Sequence, residues 1–122
     1  MYDIESMIDV FLKDCEISRL KINKIEKIKG TFEPLKDNTI ALSYGINNSN
    51  IILKVDPEKW VKSSTVKKWY ILYHELGHDV LNLEHGQGGR MMFNFPTSEY
   101  SWIDFFKDRN NMFEIYNNRY SN

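Results

Sequence analysis

The sequence predicts an α+β domain in which a small sheet is flanked by helices at both ends of the chain. Three observations carry this. Ile4, Met7, Ile8, Phe11 and Leu12 recur at the spacing of one helix face near the N-terminus. Thr39–Tyr44 and Ile51–Val55 are two short strand-like runs around the polar turn Gly45–Asn50. Trp102, Ile103, Phe105, Phe106, Met112, Phe113 and Tyr116 place a second amphipathic stretch near the C-terminus.

Taken in order, residues 3–14 read as the first helix, and the mixed pattern from Ile17 to Ile28 holds a strand. Gly30 to Asn38, with Pro34 and Asp37-Asn38, reads as a loop. The two strand candidates form a hairpin that Asp56-Pro57 ends. Ser63 or Ser64 then offers an N-cap for a helix running to about Leu81. Trp69, Leu72, Tyr73, Leu76, Val80 and Leu83 form its core-facing stripe, while Ile71, His74, Glu75 and His78 lie on another side. Residues 86–97 hold three glycines and Pro96 and read as a loop. Ser98 caps a last helix over about 99–117.

A length of 122 residues suits a single domain spanning 1–122, and 42% hydrophobic residues suffice for one core. With 16 basic and 17 acidic residues the net charge is −1, which gives no general attraction to nucleic acid or to an anionic membrane. The lysines from Lys21 to Lys29 alternate with Ile22, Ile25 and Ile28, a solvated face beside a buried stripe. Cys15 is the one cysteine, so no intrachain disulfide or Cys-rich metal site is possible, and it reads as a core filler. No apolar run approaches the ~18 residues of a membrane span. The acidic start Met1-Tyr2-Asp3-Ile4-Glu5 lacks a basic region followed by a long apolar one, so a cytoplasmic location is expected.

The segment that carries chemistry is His74-Glu75-Leu76-Gly77-His78. On a helix, histidines at i and i+4 share a face and can share a metal, for which neutral imidazole is a good ligand. Glu75, beside the first ligand, is placed to take a proton from an activated water. A catalytic zinc usually has three protein ligands and one open position. The third histidine of the chain is His85. On an unbroken helix it would lie ~10.5 Å along the axis from His78, too far to share an ion. The helix must therefore end and the chain fold back. Asn82 stands where this must happen, and asparagine tolerates the left-handed conformation that closes helices.

The resulting pattern, H-E-x-x-H-x-x-x-N-x-x-H, resembles that of the metzincin zinc metallopeptidases, H-E-x-x-H-x-x-G-x-x-H followed by a methionine turn. It is most similar to short bacterial proteins of this kind with one extra residue before the glycine. Leu81 stands at the usual glycine with Asn82 one place later, and Glu84 at the usual third histidine with His85 one place later; the offset is the same in both. Over about residues 51–106 the resemblance implies a minimal zincin fold, a small mixed sheet packed on the H-E-x-x-H helix. It implies Zn²⁺ held by His74, His78 and His85, with Glu75 as the catalytic base. In Gly88-Gly89-Arg90-Met91-Met92-Phe93-Asn94 it implies a Met turn built on Met92, with Met91 close behind. It also implies a peptide or protein substrate added to a sheet edge, expected to be Ile51–Val55.

Other residues compete for roles. Glu99, 21 residues past His78, is an alternative third ligand, since other zincins take a glutamate from a later helix. Tyr100 could donate to an oxyanion. Asp79 is either solvated or orients a ligand. The rival to hydrolysis is a non-catalytic binding module stapled by a structural zinc, which would need a fourth protein ligand such as Glu84 or Asp79.

Overall fold

A computed structural model describes residues 3–47, 49–93 and 99–120. It is a mixed α+β arrangement: α1 (Ile4–Ile17), β1 (Lys27–Phe32), β2 (Ala41–Asn47), β3 (Asn50–Val55), α2 (Pro57–Val61), α3 (Thr65–Asp79) and α4 (Trp102–Tyr120).

Local chemistry explains most of the element boundaries. Asp3 caps α1 by accepting the Ser6 N–H at 2.7 Å, and Ile4, Met7, Ile8, Phe11 and Cys15 form its buried face. The helix runs three residues beyond the expected Asp14 and closes through Arg19, whose φ is 57°. Asp56 does more than end the hairpin. It caps the short α2, accepting the Lys59 N–H at 3.0 Å, with Pro57 in the first turn where its missing N–H costs nothing. Ser64 caps α3. The last helix begins at Trp102, later than the expected 99, under a reciprocal cap. Ser101 N–H donates to Asp104 Oδ2 at 3.0 Å, and Asp104 N–H donates to Ser101 Oγ at 3.2 Å. Ser98, the expected cap, lies outside the described residues, as do residues 94–97 of the expected 86–97 loop.

The sheet has three strands in the order β1-β3-β2. β3 pairs parallel with β1, from Lys27↔Asn50 to Phe32↔Val55, and antiparallel with β2, from Ala41↔Val55 to Gly45↔Ile51, with an irregularity before Asn47. Two expectations are corrected here. Gly30–Phe32 belongs to a strand, not a loop. Gly30 is there because α1 crosses close above: a Cβ would sit 2.4 Å from Ile4 Cγ2. And Ile51–Val55 is the central strand, not the edge. Its alternating Ile51, Leu53 and Val55 side chains are buried, and both its backbone edges are paired. β2 is the edge nearest α3.

α3 packs on β2, α1 packs on both β1 and α3, and α4 closes against α3. α3 is thus the central element and is buried nearly all round. Ile71, placed off the core-facing stripe by the sequence pattern, is fully buried. Tyr73 anchors the helical side, meeting Phe11 edge-on at 4.9 Å and Phe105 at 5.2 Å between ring centroids; each such pair adds about 0.5–1.5 kcal/mol. Among the described residues no helix is long and apolar enough to cross a membrane.

Candidate metal centre

His74 and His78 stand one turn apart near the C-terminal end of α3, their ring centroids 4.8 Å apart. The helix stops immediately after them. Val80 N–H still bonds to the Leu76 carbonyl, but Asn82 then takes φ 55°, and Leu83 N–H turns back onto the Gly77 carbonyl at 3.0 Å. Asn82 therefore closes the helix in the left-handed conformation expected of it. The reversal brings His85 beside the other two rings, 5.2 Å from His74 and 4.8 Å from His78 between centroids.

Backbone carbonyls from the returning chain orient two of the three rings. His74 Nδ1 lies 2.7 Å from the Met91 carbonyl and His78 Nδ1 lies 2.8 Å from the Leu83 carbonyl. A carbonyl only accepts, so each Nδ1 carries the proton and each Nε2 presents a lone pair. His74 Nε2 is 3.3 Å from His85 Nε2. One ligand nitrogen from each histidine can be chosen so that all lie within 4.8 Å of one another, and this is the group of potential ligands found among the described residues. Three imidazoles are a donor set of the type zinc takes, and one pair already has the spacing a bound zinc requires. Two nitrogens at ~2.0–2.1 Å from a tetrahedral centre are about 3.3–3.4 Å apart, which matches the His74–His85 separation. Burial, with smaller contributions from the neighbouring His78 and His85, pushes the His74 imidazolium down to about 4 against the opposing Met91 bond, so the ring is neutral near pH 7 and ready to ligate.

Glu75 points its two carboxylate oxygens to different partners. Oε1 accepts the Ser43 N–H from the edge strand at 3.2 Å, and Oε2 lies 3.9 Å from His74 Nε2. Burial raises its pKa to about 7; the Ser43 N–H opposes this and the Asp79 charge adds to it. A carboxyl so tuned both accepts and releases a proton near neutrality.

The other expected residues fall as follows. Met92 is fully buried under α3, where a Cβ on Gly77 would meet its Sδ at 2.6 Å; Met91, equally buried, contributes its carbonyl to His74. The segment is a tight turn, with Met92 N–H on the Gly89 carbonyl and Phe93 N–H on the Arg90 carbonyl. Glu99 and Glu84 are exposed and stand outside the histidine group. Tyr100 is not available to an oxyanion: it is buried and its hydroxyl donates to Asp108 at 2.6 Å. Asp79 is half-buried and bonds to no histidine; its carboxylate meets the Ser43 hydroxyl.

A cleft of about 760 Å³ opens over the histidines, walled by Asp37, Asn38, Thr39, Ala41, Leu42 and Phe93 together with Glu75. Sequence reasoning missed Ser43, Tyr70 and this wall. Tyr70 was within reach of a helical reading: four residues before His74, it stacks on that ring at 6.0 Å and donates to the Arg90 carbonyl at 2.9 Å, pinning the loop that holds His74. Comparison of the chain with protein-family models, with curated proteins and with solved structures returned no match. The reading of the site therefore rests on its own residues.

Proposed function

We propose that this chain is a zinc-dependent peptidase with a minimal metzincin-like fold, and that His74, His78 and His85 hold the metal. The observation that carries the reading is the convergence of three imidazoles within 4.8 Å beside a carboxylate whose free oxygen faces them. Bound zinc supplies a Lewis acid that polarises a carbonyl and lowers the pKa of water towards about 7. Glu75 accepts a proton from water in the cleft through Oε2 and returns it to the leaving amine. The Met91 and Leu83 carbonyls hold the His74 and His78 rings in the tautomer that ligates. An extended peptide would lie beside β2, where Ala41 and Leu42 border the cleft, rather than beside β3.

A purely structural zinc is disfavoured because no fourth histidine, cysteine or carboxylate joins the group among the described residues. Asp79 is taken by Ser43, and Cys15 is buried in α1.

The test is zinc content by elemental analysis, with cleavage of a pool of quenched fluorescent peptides. Wild type should carry about one zinc per chain. Each of His74→Ala, His78→Ala and His85→Ala should lose it. Glu75→Gln should keep the metal and lose at least ~10²-fold in turnover. Metal lost in Glu99→Ala but retained in His85→Ala would move the third ligand to Glu99. Undiminished turnover in Glu75→Gln would refute the role of the base.

A further inference from the structure

Resting on that reading, we propose that Ser43, at the middle of the edge strand β2, is the positioning residue of Glu75. A glutamate side chain has three rotatable bonds, and its terminal torsion exchanges the two oxygens. A base must instead hold one oxygen at the reacting centre within a fraction of an ångström. Ser43 supplies that restraint from two groups. Its N–H binds Glu75 Oε1 at 3.2 Å, which leaves Oε2 on the histidine side. Its hydroxyl lies 2.8 Å from the backbone carbonyl of Glu75 and also meets the Asp79 carboxylate one turn further along α3. The hydroxyl has one proton for these two acceptors and donates to one of them at a time; either bond fastens strand to helix beside the base, and the N–H fixes the base itself.

The geometry of the strand makes this possible. The Ser43 N–H points away from β3, so it is a free group of the sheet edge and not part of the ladder. Edge N–H groups are commonly covered, and the opposite edge of this sheet provides the comparison. There Gly30 N–H donates to Glu5 Oε1 at 3.1 Å, with no hydroxyl clamp and no histidine group beside it. Glu5→Ala is accordingly the control for the loss of a plain edge bond.

Ser43→Ala keeps the N–H and removes the clamp. With the peptide pool as substrate, kcat should fall roughly ten- to a hundred-fold, while KM and zinc content stay within about two-fold of wild type. Ser43→Thr should recover most of the loss, and Glu5→Ala should leave kcat unchanged. An unaltered kcat in Ser43→Ala overturns the proposal. So does a loss of zinc or a proportional rise in KM, either of which marks a general structural role. A second readout is independent of turnover: amide hydrogen exchange in the metal-free protein. The Ser43 amide should be protected in wild type and should exchange at least about ten-fold faster in Glu75→Ala, with Leu42 and Tyr44 unchanged. If wild type cleaves no peptide but the Ser43 amide behaves in this way, the anchoring of Glu75 stands and the peptidase reading fails. If the amide exchanges equally in both proteins, the anchor is refuted whatever the activity.

Discussion

Replacing Gly77 by alanine sets two effects of opposite sign against each other inside the helix that carries the histidines. In an exposed helix interior the change gains up to about 1 kcal/mol, because glycine loses more backbone freedom on folding. Gly77 is buried, however, and the methionine turn lies against it. A Cβ there would fall 2.6 Å from Met92 Sδ and 3.4 Å from both Met92 Cε and Met112 Sδ. Met92 has little room to withdraw. It is fully buried, and on its other side its Cγ comes within 2.5 Å of where a Cβ on Gly88 would stand. Overpacking of this kind costs ~1–3 kcal/mol. Set against the helix gain, Gly77→Ala should destabilise the metal-free protein by up to ~2 kcal/mol. The assay is urea denaturation in the presence of a chelator, alone and in a Met92→Ala background. Met92→Ala by itself should cost about 2–5 kcal/mol through the cavity it leaves. In that background the clash is gone, so Gly77→Ala should become neutral or stabilising by up to ~1 kcal/mol. A stabilisation of ~1 kcal/mol in the otherwise native protein would refute the reasoning, because Gly77 would then behave as an ordinary helical glycine.

Two further predictions follow from local conformation and burial. At Asn82, φ 55°, glycine should be tolerated within a few tenths of a kcal/mol, whereas Asn82→Val should cost at least ~1–2 kcal/mol. Thermal melts measure that cost, and a zinc titration should show weaker binding in the valine variant, because the Leu83 carbonyl that orients His78 follows the turn directly. The Cys15 thiol is 1% exposed, and burial, with the Asp14 charge adding to it, pushes its pKa up to about 12. Iodoacetamide at pH 8 should leave the native protein unlabelled and label it fully in urea, as read by mass spectrometry. The unfolded thiol ionises at its ordinary 9.0, below the folded value, so this group's contribution is complete below that pH and is lost as pH rises towards about 12. Cys15→Ala should show a smaller alkaline loss of stability than wild type.

How far the chain could be read without its structure depends on the range of the interaction involved. The first helix, the hairpin, the H-E-x-x-H helix and the reversal at Asn82 follow from neighbours a few residues apart. Capping side chains, apolar spacing and the left-handed tolerance of asparagine act at that range. The juxtaposition of His74 and His78 is likewise a consequence of helical pitch. Long-range packing decided the rest. Gly30 is a strand residue because it pairs with Leu53 of β3, and it is a glycine because α1 crosses close above it at Ile4, 26 positions earlier. Ile51–Val55 is central because β1 pairs with it in parallel, which no local pattern specifies. Tyr100 carries the residue type of an oxyanion donor, but its hydroxyl is held by Asp108, so its surroundings and not its identity settle where it can act. The sequence alone therefore determined which residues could ligate a metal and where the helix bearing them must end. Only the tertiary structure could decide which strand borders them and that Ser43, 32 residues before Glu75, bonds to its carboxylate, because those relations are made by chain segments that meet after folding.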